Sequence, residues 1–259
     1  MKRVATAAVA IAVFLLANHY RTSFEILVLL CAAGASLELA RLSRQPYLGV
    51  ALRCNWLVLL VLFTLLALSW WGGAWAAAAL LLIAPAVRGW SDPNQAFRSV
   101  SFALMAALWL GVLPAAMILL RRAPAGEWTL TWLLGAVALG DAAAFYAGSA
   151  LGRHKLAPSV SPNKTVEGAV AGLLASAGAG LLAAWALFPA ASLPRMVLAS
   201  VALGAAGQLG DLFESLLKRA AGVKDSGAWL PGHGGLLDRL DAILFAGLAL
   251  LLLRSWALS

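Results

Sequence analysis

A chain of 259 residues that is 63% hydrophobic and only 12% charged has too little polar surface to coat a water-soluble globule, in which about a quarter of residues carry charge. The bilayer is therefore the solvent for most of it. Its net charge of +8 reads as basic loops held against anionic lipid headgroups, and nucleic acid is set aside as a partner. The two cysteines, Cys31 and Cys54, come with no CxxC and no Cys/His cluster of zinc spacing, so both read as small apolar packing residues.

In chain order, nine apolar segments stand out, at about 4–18, 23–40, 55–71, 73–87, 101–120, 128–150, 166–188, 196–217 and 236–253. Met1-Lys2-Arg3 followed by an apolar run looks like the start of a signal peptide, but with so many spans after it the run reads as a retained first helix. The runs are continuous and lack period-two alternation, which favours helices over a barrel. If the N-terminus is cytosolic and all nine cross, 14 of the 19 Lys and Arg residues fall on the cytosolic side, as the positive-inside rule requires. The expected fold is all-α, a polytopic integral membrane protein of about nine transmembrane helices with a cytosol-facing polar pocket, placed in a bacterial inner (plasma) membrane among membrane lipids. Trp56, Trp70, Trp71, Trp128 and Trp256 near segment ends read as interfacial anchors.

The chemistry is unevenly spread. Residues 1–135 read as a structural, lipid-facing helical region, and residues 136–259 as the catalytic region; 136–245 alone hold seven of the eleven carboxylates. Charged groups in apolar helices persist when they pair, line a cavity or bind ions. Asp141, Asp211, Asp238 and Asp241 all fall toward the cytosolic ends of their segments. Asp211, Glu214, Ser215 and Lys218 share one helix face by their i, i+3, i+4, i+7 spacing, and Asp238 and Asp241 share another. Oxygen donors without thiol or imidazole partners suit Mg²⁺; the bland alternative is that Asp211 and Asp241 pair with Lys218, Arg219 or Arg239 and only join helices.

Two loops look suited to phosphate. Gly152 to Thr165 leads into the segment at 166, with Ser161, Asn163 and Thr165 as candidate N-caps and Lys164 as a point charge. Leu230-Pro231-Gly232-His233-Gly234-Gly235 leads into the last segment, and its glycines allow close backbone approach and positive φ. His233 reads as an acid, a base or a phosphate donor, whereas His19 and His154 read as interfacial.

The run Ser215-Leu216-Leu217-Lys218-Arg219, then four residues, Lys224-Asp225, and then Leu230 through Asp241 resembles the signature of the phosphatidate cytidylyltransferases without departure over 27 residues. Asp141 and the runs Gly152–Pro158 and Ser161–Gly168 also resemble that family, and the likeness covers about residues 135–245. The resemblance implies the reaction of CTP with phosphatidic acid to give CDP-diacylglycerol and pyrophosphate, with a Mg²⁺ requirement and a second cation as an option. It implies that Asp211 and Asp241 bind metal, with Asp141 as a third candidate. Asp238, Lys218, Arg219 and His233 would join them as catalytic residues, and Ser161, Lys164, Thr165, Lys224, Asp225, Gly234, Gly235 and Arg239 would hold nucleotide or phosphate. The assembly is left open, a homodimer included. The rival readings are a CTP-dependent lipid kinase, a cytidylyltransferase for another lipid phosphate, and a cation-coupled transporter.

Overall fold

A computed structural model of the chain describes residues 2–43, 92–227 and 235–259. They form α1 (Lys2–His19), α2 (Arg21–Ser43), α3 (Pro93–Ala106), a π-helical stretch (Ala107–Val112), α4 (Leu113–Arg122) and α5 (Gly126–Leu151). A short hairpin follows, β1 (Lys155–Ala157) and β2 (Ser161–Thr165), then α6 (Val166–Ala186), α7 (Leu193–Ala220) and α8 (Leu237–Ala257). The protein is an all-α polytopic membrane protein. Among the described residues six helices are long and apolar enough to cross a membrane, with Pro93–Arg122 counted as one. Side chains such as Trp185 (81% exposed), Tyr146 (71%) and Leu174 (69%) stand out into surroundings that suit lipid and not water. Seven of the nine expected segments coincide with described helices, and the other two, 55–71 and 73–87, lie outside the described residues.

The residues pack as two compact units, Met1–Leu119 with Leu217–Arg239, and Leu120–Leu216 with Leu240–Ser259. Packing thus divides the chain elsewhere than at the 135/136 boundary drawn from the distribution of charge, because the stretch after Leu217 is hydrogen-bonded to α2.

In the first unit, Phe14 of α1 meets Phe24 of α2 edge to face, with centroids 5.7 Å apart. Helix α2 buries Phe24, Ala32, Ala35 and Leu39. Helix α3 starts at a well-made cap: Asp92 accepts from the N–H groups of Asn94 and Gln95 at 3.0 and 3.2 Å, with Pro93 in the first turn. The π-helical stretch has a local cause in Pro114. A proline has no N–H to give, and in α geometry its ring would strike the carbonyl four residues back, that of Leu110. The chain widens just there, and the Leu113 N–H reaches Leu108 O, five residues back. Helix α7 ends in this unit at Gly222, whose φ of 71° costs little only for glycine. The N–H of Val223 bonds Lys218 O at 2.9 Å and that of Gly222 bonds Arg219 O at 3.0 Å, the paired bonds of a Schellman stop.

In the second unit α5 and α6 approach closely because small residues recur every fourth position: Gly140, Ala144, Gly148 and Gly152 on one, and Gly168, Gly172, Ser176, Gly180 and Ala184 on the other. A methyl group on Gly168 would lie 2.6 Å from Ala144 O. Helix α7 joins the pair through interhelical hydrogen bonds: Trp132 Nε1 to Ser200 Oγ at 2.8 Å, and Gln208 Nε2 to Ala169 O at 3.0 Å. Such bonds add on the order of 0.6 kcal/mol each in a membrane. Helix α8 rests on α7 at Gly210 and through the tilted ring pair Phe213–Phe245, with centroids 5.6 Å apart.

Candidate functional site

The second unit carries the hairpin and the acidic ends of α7 and α8. The sequence suggests an irregular loop at 152–165; the chain instead pairs Lys155 with Thr165 and Ala157 with Ser161 in antiparallel register, closed by Val160 N–H to Ala157 O at 3.1 Å. Thr165 is the cap of α6, its Oγ1 accepting from Gly168 N–H at 3.2 Å. Ser161 and Asn163, the other candidate caps, are strand residues of β2. The N–H groups that begin α6 are used inside the chain: Val166 gives to His154 O at 2.9 Å and Gly168 to Thr165. The Glu167 carboxylate stands at the same helix end and accepts from the N–H groups of Arg153 and His154 and from His154 Nδ1, the last at 2.6 Å. His154, read as interfacial, therefore has a local partner. The helix thus has its own carboxylate in the place an anion would take at a helix start.

Lys164 projects from β2 to α7. Its Nζ lies 2.7 Å from Asp211 Oδ2, and Ser215 Oγ stands 3.5 Å from the other carboxylate oxygen. Asp211 thus makes an ion pair that joins elements, as the bland reading has it, but with Lys164 in place of Lys218, Arg219 or Arg239. The Asp211 side chain remains 41% exposed. One residue earlier, Gly210 brings α7 against the α8 backbone: a Cβ there would sit 2.4 Å from Asp241 O. Asp241 is 6% exposed, and its Oδ1 accepts from Ala242 N–H at 2.8 Å. Asp141, on α5, is exposed. Among the described residues no three His, Cys, Asp or Glu side chains are gathered around one point as a metal cluster. Oxygen-only carboxylates on two helices in backbone contact nonetheless fit Mg²⁺, which is usually held by one or two carboxylates and completed by water and substrate phosphates.

The first unit holds the other part of the signature. Asp238, expected among the reacting groups, is satisfied by the chain itself. Its Oδ1 is 2.5 Å from Lys218 Nζ, and its Oδ2 accepts from Gly235 N–H at 2.8 Å, Ser226 Oγ at 2.8 Å and Ser226 N–H at 3.2 Å. With four donors on a carboxylate only 9% exposed, Asp238 ties together Lys218, Ser226 and Gly235. Gly235, expected to serve phosphate, gives its N–H to Asp238, and among the described glycines positive φ is confined to Gly222. Arg219 reaches Val223 O at 3.4 Å; Lys224, Asp225 and Arg239 are exposed. His233 and Gly234 lie outside the described residues.

Glu38 did not stand out in the sequence. It is fully buried in α2 and accepts from Leu236 N–H at 3.0 Å and Leu237 N–H at 2.9 Å. Two orphan donors at the start of α8 are thereby satisfied by a carboxylate from far away in the chain. The available signal was an acid deep inside the apolar run 23–40, which holds only Glu25 besides it; such a charge marks a paired or functional residue.

The sequence profile described as the cytidylyltransferase family matches residues 1–256. Among curated proteins, the phosphatidate cytidylyltransferase of Staphylococcus saprophyticus is 39% identical over 155 residues, covering 60% of this chain and 59% of the relative. The Bacillus subtilis enzyme of the same name is 40% identical over 156 residues, 58% of this chain and 56% of the relative. That of Brucella suis is 46% identical over 129 residues, 50% of this chain and 47% of the relative. The chain thus spans about half to three fifths of the length of the curated relatives it matches.

Proposed function

The chain belongs to the cytidylyltransferase family, and on that premise we propose that it transfers the cytidylyl group of CTP to phosphatidic acid, giving CDP-diacylglycerol and pyrophosphate. The site would open to the cytosol from a bacterial inner membrane, since 14 of the 19 Lys and Arg residues fall on that side in the nine-span reading. The observation that carries the proposal is the 2.7 Å contact between Lys164 and Asp211. It joins the element suited to phosphate with the helix whose acids suit a divalent ion.

In this reading a phosphate oxygen of phosphatidate attacks the α-phosphorus of CTP in line. A new P–O bond forms as the bond to the bridging oxygen breaks, and pyrophosphate leaves with that electron pair. The nucleophile is already an anion, so the task of the protein is to align two anions and offset their repulsion. Asp211 and Asp241 would hold Mg²⁺. Bound there, the ion would neutralise phosphate charge. Lys164 would exchange Asp211 for the CTP phosphates. Acyl chains would stay in the bilayer while the headgroup reaches the acids.

The test is incubation of purified protein with CTP labelled at the α-phosphate, Mg²⁺ and phosphatidic acid in mixed micelles. Label in the lipid and release of pyrophosphate are expected. Label entering the lipid only from the γ-phosphate would replace the proposal with a kinase, and solute movement without nucleotide turnover would replace it with a transporter. Lys164→Ala is expected to raise the KM for CTP about 10–100-fold, the loss of one hydrogen bond to a charged group, and to leave the dependence on phosphatidate nearly unchanged. Titrations of the two substrates check it.

A further inference from the structure

Glu38 stands at the junction of two chain stretches separated by the signature loop. On one side are Ser226 and Gly227; on the other are Gly235, Leu236 and Leu237. The carboxylate accepts from Leu236 and Leu237 N–H at 3.0 and 2.9 Å, and its Oε2 is 3.3 Å from Ser226 Oγ. The single hydroxyl hydrogen of Ser226 goes to the nearer acceptor, Asp238 Oδ2 at 2.8 Å. Asp238 also takes Gly235 N–H, Ser226 N–H and Lys218. Asp238 therefore holds the Ser226 stretch by hydrogen bonds, Glu38 holds the Leu236–Leu237 stretch, and Ser226 Oγ lies between the two carboxylates. The glycines conform to this: a Cβ on Gly227 would lie 2.4 Å from Glu38 Oε1, and one on Gly235 would lie 2.4 Å from Glu38 Oε2 and 2.2 Å from Ser226 Oγ. Two signature-region glycines thus leave room for a carboxylate that comes from α2, nearly 190 residues away in sequence.

We propose that Glu38 is a positioning residue for cytidylyl transfer: by accepting from Leu236 and Leu237 N–H it clasps and fixes the first turn of α8, and with it Asp241 one turn further along the same helix. The rate part of this proposal rests on the function proposed above; the clasp itself does not.

Glu38→Gln is nearly the same shape but replaces one acceptor oxygen with a donor amide, so the Leu236 and Leu237 N–H groups can no longer both be accepted. In the full-length protein in detergent, trypsin is expected to cut after the exposed Lys224 about tenfold faster relative to the exposed Arg153, which serves as internal reference. Turnover per folded molecule is expected to fall about 10–100-fold at saturating substrates, with KM for CTP changed less than about threefold, since misalignment of reacting groups costs rate more than binding. Glu38→Asp keeps the charge but lacks reach, and is expected to show the same pattern; restored protection and turnover in that variant would overturn the geometric argument. Unchanged cleavage at Lys224, or faster cleavage with unchanged turnover, would likewise overturn the proposal. If Glu38→Gln does not fold, Gly227→Ala, whose Cβ would lie 2.4 Å from Glu38 Oε1 and so displaces that carboxylate, decides by the same two readouts in the same direction. If the wild-type protein makes no CDP-lipid, the proposed function fails while the trypsin measurement still decides the clasp.

Discussion

Asp241→Asn is expected to lower CDP-diacylglycerol formation by about 10²–10³-fold, the scale seen when one preorganised charge-stabilising group is removed from a reacting site. The substitution is a clean one. Asp241 is only 6% exposed and its Oδ1 accepts from Ala242 N–H, a bond the asparagine oxygen can keep while the negative charge goes. Asp211→Asn is expected to act on the same scale by the same loss of charge. Its distinguishing mark is the broken contact with Lys164, which leaves that lysine free to engage phosphate and so spares KM for CTP. The checks are turnover per folded molecule, measured after chelation and through a Mg²⁺ titration. A wild-type protein indifferent to chelation, or near-normal turnover in either variant, would remove both carboxylates from the role proposed for them.

Gly210→Ala is expected to damage the contact between α7 and α8 with a single methyl group. The added Cβ would sit 2.4 Å from Asp241 O, 2.9 Å from Phe245 Cδ2 and 3.0 Å from Asp241 C. Two of those three atoms are backbone, so no side-chain rotation relieves them and α7 must move from α8. Overpacking of this kind costs about 1–3 kcal/mol. Because Asp211 is the next residue and Asp241 is the point of contact, the same displacement separates the two acids; a 1 Å shift in a site of this kind costs about 10²-fold in rate. Gly135→Ala is the control: nothing lies within 4 Å of its Cβ, and alanine favours a helix by up to about 1 kcal/mol over glycine. Thermal unfolding in detergent should show a lowered midpoint for the first and an equal or raised one for the second. Equal midpoints for both would mean that the helices meet differently.

The class of fold was legible because apolar runs near 20 residues leave few alternatives once the bilayer is the solvent. Asp211 and Asp241 could be picked out because charge in an apolar setting is conspicuous, and Lys164 as the point charge of a polar loop that leads into a helix. The partners of those groups could not. Nothing local says that Lys164 reaches Asp211, or that Asp238 spends its oxygens on Ser226, Gly235 and Lys218, since these are decided by where separate segments meet. The β1–β2 hairpin escaped because its strands are short and rich in Ser, Pro, Asn and Lys, which favour loops. Glu38 was overlooked for a different reason: its short-range neighbours Ser36 and Arg41 form no recognisable motif with it, although its setting in α2 already required a partner. The four-residue rhythm of small residues in α5 and α6 was there to be read, and predicts their close approach from sequence alone.

The wide turn before Pro114 has a consequence for the phase of the helix that contains it. Closing five residues where four would do inserts roughly one extra position into Ala107–Val112, so the faces before and after it are out of step by about 100° relative to an unbroken α-helix. Ser99, Phe102, Ala103 and Ala106 are buried on the near side, and the offset sets where that face lies relative to the far side, whose residues 113–118 are buried all round. Replacing Pro114 alone would release the obstacle and leave the segment one residue too long. Shortening the stretch by one residue in the same chain would bring the two faces back into register, so a lesion and its repair would lie a few positions apart on a single helix.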